Sequence, residues 1–304
     1  MSSSPFHPNL LQNQVSVITG GHSGIGFGIS CALAKHGCHV AMVGRRQHVL
    51  KEAAEKILSQ ANNEKVRVVG YVGDVRSFET MQAIMKKVHQ EFSHIDAVIN
   101  CAAGNFLCAA QDLSANAFKT VIEIDLLGTF NTSRAALPYL KREVTLHNKP
   151  DQFSNIINIS ATLHYSATRY QAHPSAAKAG VDSLTRSLAA EWGELGIRVN
   201  GIAPGPIAGT EGMARLAPPG MNDMIASRLP LRRMGSVHDI GASVLFLLSE
   251  QASGFITGHT IVCDGGSWVS HIQSMPTEMY EELKKMRQQS KKQQSKKQQS
   301  KKQQ

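Results

Sequence analysis

VSVITGGHSGIGFGISCALAK, residues Val15 to Lys35, decides the fold. Val15–Thr19 is a β-branched, apolar run of strand length, and glycines close it at once. From Ile25 the apolar residues recur at helical spacing as far as Lys35. A strand, a glycine-rich turn and a helix in that order form the first half of a βαβ unit. Glycines let the backbone turn tightly and approach a pyrophosphate, and the helix N-terminus offers free N–H groups and a positive dipole end. Gly20, Gly21, His22, Ser23, Gly24, Ile25 and Gly26 are therefore expected to line a dinucleotide site.

The pattern continues outward from that unit. Further strand-like runs lie at His39–Gly44, Val66–Gly70 with a continuation to Asp74, Asp96–Asn100, Asn155–Ser160, Arg198–Ala203 and Thr260–Asp264. Helical patterns fall between them at Gln47–Ala61, Ser77–Phe92, Ser114–Leu140, Ala176–Glu194, Met221–Arg228 and His238–Ser249, with Ser77 and Ser114 as N-caps. This alternation predicts an α/β fold: one Rossmann-type, doubly wound domain with a seven-stranded, mainly parallel sheet and helices on both faces. The expected organisation is an extension over 1–13, the dinucleotide-binding domain over 14–270 and a C-terminal extension over 271–289. Within the last, Pro276–Arg287 is expected to be helical. Residues 290–304, three copies of Ser-Lys-Lys-Gln-Gln, form a low-complexity tail expected to be disordered.

Composition excludes several function classes. The chain has 304 residues and a formal charge of +9. Nine of its 32 Lys and Arg lie from Lys284 onward with no acid among them, leaving 23 bases against 23 acids elsewhere. The body is neutral, so no nucleic-acid partner is expected of it. The repeats are open to two readings, a basic lure for acidic partners or a solvated end. Five cysteines without a CxxC pair make a zinc site or disulfide framework unexpected and fit a reducing compartment. No apolar run reaches membrane-spanning length, and 1–13 lacks a secretory h-region.

Three strand ends bear on the cofactor. A carboxylate after the second strand would pair with a ribose 2′-hydroxyl; here stand Arg45 and Arg46, which suit a 2′-phosphate. NADP(H) is therefore expected, with Arg45 as leading contact and Ser23 and His22 beside it. Asp74, ending the third strand beside Val75, is placed to accept from an adenine amino group. At the end of the fourth strand, Asn100 and Ala102 belong to a small-residue segment against which a cofactor can lie.

Together TGGHSGIG, NCAAG, Ser160, Lys178, Asn200-Gly201-Ile202-Ala203-Pro204-Gly205 and Asp264-Gly265-Gly266 resemble the short-chain dehydrogenase/reductase family in order and spacing. The resemblance covers residues 14 to about 268. Two positions depart from its usual pattern: Pro174 stands where a catalytic tyrosine is expected, four residues before Lys178, and Asp125 stands where an asparagine is usual. NCAAGNFL, IDLLGTF, ISAT, SAAKAG and PGPIAGTEG are similar to the family's dienoyl-CoA reductase branch, which shares both departures. That resemblance implies hydride transfer from NADPH to the δ carbon of a fatty 2,4-dienoyl-CoA, then protonation at carbon to give a 3-enoyl-CoA, an auxiliary step of β-oxidation. It implies catalytic roles for Asp125, Lys178 and Ser160: water positioning or proton relay, ribose contact with positive charge, and contact near the thioester. Thr210 would meet the nicotinamide amide, with the backbone of Pro204, Gly205, Pro206, Ile207, Ala208 and Gly209 beside it. Arg76 and Arg215 would contact the substrate, as would Phe106, Ser114, Ala115 and Asn116.

A missing tyrosine suits this chemistry. Ketone reduction needs a proton on oxygen, whereas here charge spreads to a thioester oxygen and the proton ends on carbon. Tyr165 and Tyr170 stay open as substitute acids or as aromatic packing. A non-catalytic NADP(H)-binding scaffold and another enoyl- or 3-ketoacyl-CoA reductase are the competing readings, the latter disfavoured by Pro174. The resemblance further implies a homo-oligomer, a tetramer, with the helices from Ser114 and Ala176 at the interface. It implies a peroxisomal location too, although Lys302-Gln303-Gln304 lacks the Ser-Lys-Leu-like tripeptide that often ends this branch.

Overall fold

All seven apolar runs become strands. In the computed structural model, which describes residues 4–61, 63–145, 152–216, 220–270, 279–286 and 288–289, β1 is Val15–Thr19, β2 His39–Gly44, β3 Val68–Val72, β4 Ala97–Asn100, β5 Ser154–Ile159, β6 Ile197–Pro204 and β7 Thr260–Cys263. They form one sheet in the order β3-β2-β1-β4-β5-β6-β7, and every pairing is parallel. The order reverses between β1 and β4, where such sheets open a crevice at their carboxyl ends.

The helices that cover the sheet are α1 (Gly24–Lys35), α2 (Gln47–Ala61), α3 (Phe78–Phe92), α4 (Ala115–Ile122), α5 (Gly128–Leu140), α6 (Ala172–Trp192), α7 (Glu211–Leu216), α8 (Asn222–Arg228), α9 (Val237–Leu248) and α10 (Glu250–Ser253). Side chains alternate across each strand, so the two faces bury different partners. Ile18, Val40 and Met42 pack with Ile29 and Leu33 of α1, Ile57 of α2 and Val244 of α9. Val15, Val17, Ala41 and Val43 face Met81 and Met85 of α3, Ala136 of α5 and Trp192 of α6. Both faces are dry, so these strands read as continuous apolar runs rather than alternating ones.

Two expectations are corrected. Ser114–Leu140 is not one regular helix: a π turn over Glu123–Leu127 separates α4 from α5. Helix α6 starts at Ala172, not Ala176; Pro174 falls in its first turn, where the missing N–H has no intrahelical acceptor to lose. Strand β3, Val68–Val72, falls within the expected run from Val66 through its continuation to Asp74. Helix α7 has no counterpart among the expected helices. The expected caps form: the Ser77 and Ser114 hydroxyls accept from Thr80 and Ala117 N–H. Residues 279–286 are helical within the expected C-terminal helix; 276–278 and the tail 290–304 lie outside the described residues.

A capping box starts α9. Ser236 accepts from Asp239 N–H, while the Asp239 carboxylate accepts from Ser236 N–H at 2.7 Å and pairs with Arg233 at 3.0 Å. These bonds hold the Asp239 carboxyl well below the usual range, Arg233 contributing most. Asp239→Ala is expected to cost about 1 kcal/mol at pH 7. Because the folded-state value is depressed, that contribution is full above the unfolded value of about 4 and fades as pH falls below it. Thermal melts of both proteins should therefore differ at pH 7 and converge toward pH 2.

Candidate active site

The crevice between the ends of β1 and β4 encloses about 420 Å³. Its floor is built by backbone. Thr19 Oγ1, at the end of β1, accepts from Cys101 and Ala102 N–H at 3.0 and 3.1 Å, which pins the segment after β4 beside the glycine turn. Gly20 and Gly24 take left-handed φ values of +69° and +51°. A Cβ on Gly26 would lie 2.3 Å from the Gly20 carbonyl oxygen, so helix α1 starts closer to the turn than any side chain permits. Ser23 caps α1 without spending its hydroxyl, and the first turn carries no acid. Free N–H groups, a free hydroxyl and an open cradle fit a pyrophosphate, as a dinucleotide cofactor requires.

At one end of the crevice lie His22, Arg45, Arg46 and Asp74. Neither Arg45 nor Arg46 joins an ion pair among the described residues. Asp74 is held by Arg76 at 2.6 Å, and that hydrogen-bonded partner keeps its carboxyl below the usual range. The adenine acceptor and a substrate arginine expected from sequence are thus each other's partners.

At the other end, β5, α6 and the π turn converge on a buried ion pair. Asp125 is 1 % exposed. Its Oδ1 accepts from Gly104 N–H at 2.7 Å, and its Oδ2 lies 3.4 Å from Lys178 Nζ. Burial pushes the Asp125 carboxyl above its ordinary value, against the opposing pull of Lys178 and the Gly104 N–H. Lys178 Nζ also donates to the Ile159 carbonyl at 2.9 Å, while lining the crevice. Ser160 sits beside it; its hydroxyl has only a 3.5 Å contact with the Lys178 carbonyl, which leaves it available to a ligand. The π turn widens the helix by one residue per turn where Asp125 projects, a common device at functional positions. Cys101 is the thiol of the crevice, and burial pushes it up to about 12; it stays protonated and is no nucleophile.

The crevice gathers Gly20, His22, Ser23, Gly24, Ile25, Gly26, Arg45, Arg46, Asp74, Val75, Ala102, Ser160, Lys178, Thr210 and Arg215. Asp125 stands behind its wall. The remaining expected residues are not among its lining. Gly21 lies beneath the turn, its carbonyl accepting from Ser30. Asn100 is buried in a polar chain, donating to Ser133 and Asn158. Pro204 ends β6, and Ile207 bridges to Gly235, so Pro204–Gly209 supports the lining from behind. Thr210 spends its hydroxyl on Ile207 O and Met213 N–H, as the cap of α7. Phe106 packs on His173 at 4.2 Å. Ser114, Ala115 and Asn116 open α4 outside the crevice. Arg215 pairs with Glu211 at 3.2 Å.

Neither substitute tyrosine lines the crevice. Tyr165 donates to Asp182 at 3.0 Å, and burial with that carboxylate raises its hydroxyl further from use as an acid. Tyr170 stacks on Tyr280 with ring centroids 3.7 Å apart. Sequence reasoning missed Asn105, Gln171 and Glu211. Asn105 lines the crevice and donates to Gln171 Oε1 at 2.8 Å; its position directly after NCAAG was the available signal.

Comparison with known proteins agrees with this geometry. The family described as Enoyl-(Acyl carrier protein) reductase matches residues 20–267. An Arabidopsis thaliana protein named peroxisomal 2,4-dienoyl-CoA reductase, (3E)-enoyl-CoA-producing, is 46 % identical over 281 residues, covering 92 % of this chain and 93 % of its own. A Rattus norvegicus protein of the same name is 45 % identical over 266 residues, covering 87 % of each. Among solved structures, a short chain dehydrogenase from Bacillus anthracis superposes with a TM-score of 0.72 at 36 % identity, covering 88 % of this chain and all of that one.

Proposed function

Because the chain belongs to the short-chain dehydrogenase/reductase family, we propose that its crevice reduces 2,4-dienoyl-CoA thioesters with NADPH. The observation that carries this reading is the buried Asp125–Lys178 pair at the crevice wall in a chain whose usual tyrosine position is Pro174. A proline there has no proton to give, and a buried acid with a raised proton affinity stands nearby instead.

When bound, the cofactor supplies hydride to the δ carbon of the dienoyl chain. Charge then runs through the conjugated system to the thioester oxygen, where the free Ser160 hydroxyl and the Lys178 ammonium can stabilise it. Asp125, held by Gly104 N–H and Lys178 and raised in proton affinity by burial, is the group proposed to pass a proton through water to the α carbon. Protonation there leaves a 3,4 double bond and a 3-enoyl-CoA. Lys178 has a second task at the nicotinamide ribose, and the α1 N-terminus receives the pyrophosphate.

Arg45 and Arg46 support NADPH over NADH. Arg45→Asp is expected to weaken NADPH by about 10–100-fold, from loss of a charge-assisted bond worth about 1.5–3 kcal/mol, while sparing NADH. Calorimetric titration with each nucleotide checks this. The relatives named peroxisomal support a peroxisomal setting. A homo-oligomer fits Phe118, Leu127 and Phe130, which stand exposed on and between α4 and α5; light scattering tests it. The central test is a panel of dienoyl-, enoyl- and 3-ketoacyl-CoA thioesters with NADPH. Loss of the dienoyl absorbance with formation of 3-enoyl-CoA is expected. Cofactor binding without turnover on any dienoyl chain length would instead favour a scaffold.

A further inference from the structure

His22 lines the crevice in a tight place against the end of β2. Its ring lies over Gly44, where a Cβ would come within 2.8 Å of both Cε1 and Nδ1; the glycine at the end of β2 is what admits the imidazole. Nδ1 is buried without a hydrogen-bond partner, while the ring lines the crevice. The charged groups around it come from three elements. The turn after β2 brings Arg45 and Arg46, both repelling a proton on His22, and α7 brings Glu211, which attracts one but is paired with Arg215. Asp74, from the end of β3, is engaged by Arg76. An imidazole among unpaired guanidinium groups is a poor place for a third positive charge until an anion arrives.

We infer that His22 is a proton-linked determinant of cofactor choice: it takes up a proton as the phosphate on the adenosine ribose binds, and so reads that phosphate together with Arg45. The inference rests on the NADPH reading above. In the free site, burial first and then Arg46 and Arg45 lower the imidazole's proton affinity, so the ring is neutral near pH 7. A phosphate dianion among these groups reverses the balance. The complex then holds more protons than the free protein, and linkage requires its affinity to rise as pH falls between the free and bound values. Below about pH 6 the phosphate itself gains a proton, and the gain turns over. NADH carries no such phosphate and should show neither limb.

The experiment is calorimetric titration of the whole chain with NADPH and with NADH from pH 5.5 to 9, for the wild type and His22→Gln. Repeating it at pH 7 in buffers of different ionisation enthalpy counts protons directly. The wild-type Kd for NADPH should tighten several-fold, and by at most about tenfold per pH unit, between pH 8.5 and 6.5, with net proton uptake at pH 7. His22→Gln should be flat across that window and keep only the acid limb, and NADH should be flat in both proteins. Should His22→Gln not fold, proton uptake by the wild type with NADPH but not with NADH carries the test. An NADPH affinity independent of pH from 8.5 to 6.5, or the same slope in His22→Gln, overturns the inference and leaves the cofactor reading standing. NADPH binding no tighter than NADH at any pH overturns both.

Discussion

Asp125→Asn should lower kcat for dienoyl-CoA reduction by about 10²–10⁴, the usual contribution of a positioned acid or base, and leave the Kd for NADPH nearly unchanged. Asparagine keeps an oxygen for the Gly104 N–H but gives up the titratable proton and the carboxylate oxygen that faces Lys178. Three observations support that role: Asp125 is buried, its carboxyl is raised by burial, and it stands 3.4 Å from the lysine that lines the crevice. The pH profile has a defined sign. If the protonated carboxyl is the working form, kcat is flat in acid and falls about tenfold per unit once pH exceeds the raised value. Asp125→Asn should lose that alkaline limb along with the rate. Asp125→Ala is the harsher variant, because it leaves Lys178 buried with the Ile159 carbonyl as its remaining acceptor and destabilises the fold by about 3–5 kcal/mol. Comparison of the two by melting curves and single-turnover kinetics separates chemistry from folding. Wild-type turnover in Asp125→Asn would remove Asp125 from the mechanism and return the proton to an unassigned water.

The same residue shows how far the sequence could be read. Val15–Thr19 and the glycines after it carry strand, turn and helix in local chemistry alone, so the sheet, its parallel sense and the crevice follow from one segment repeated with variations. Lys178 and Asp125 were legible as departures from, or matches to, a spaced pattern. Other features were not legible, because the turns and side-chain partners that decide them form only in the folded chain. Asp74 and Arg76 are two residues apart, and each was free to face a ligand; their mutual ion pair exists only because the turn after β3 folds one onto the other. The π turn that projects Asp125 has no local signal in Glu123–Leu127, whose residues suit an ordinary helix. The helix was expected from Ala176, yet α6 begins at Ala172, before Pro174, since a proline in the first turn forfeits no hydrogen bond. The Tyr165 and Tyr170 hydroxyls looked equally available until Asp182 and Tyr280 claimed their surroundings.

Gly26→Ala is expected to weaken NADPH binding by on the order of 100-fold, about 2.7 kcal/mol, and to lower stability by about 1–3 kcal/mol. A Cβ there would stand 2.3 Å from the Gly20 carbonyl oxygen and 2.8 Å from its carbon. Neither can retreat: Gly20 already holds φ +69° and itself has the backbone of Ala102 within 3.2 Å of where its own Cβ would be. Helix α1 must therefore back away from the turn. Its N-terminal N–H groups then lose the geometry that lets them meet a pyrophosphate, and the packing of Ile29 and Leu33 beneath the sheet shifts with it. Gly212→Ala is the matched control. Gly212 also lines the crevice, but the nearest atom to its Cβ would be Thr210 Oγ1 at 4.0 Å, and an alanine within α7 should add up to about 1 kcal/mol of helix preference. Melting curves and NADPH titration of both variants set the two glycines apart. Tight binding by Gly26→Ala would mean that the cofactor does not rest on the α1 N-terminus, and the phosphate roles of His22 and Arg45 would lose their common anchor.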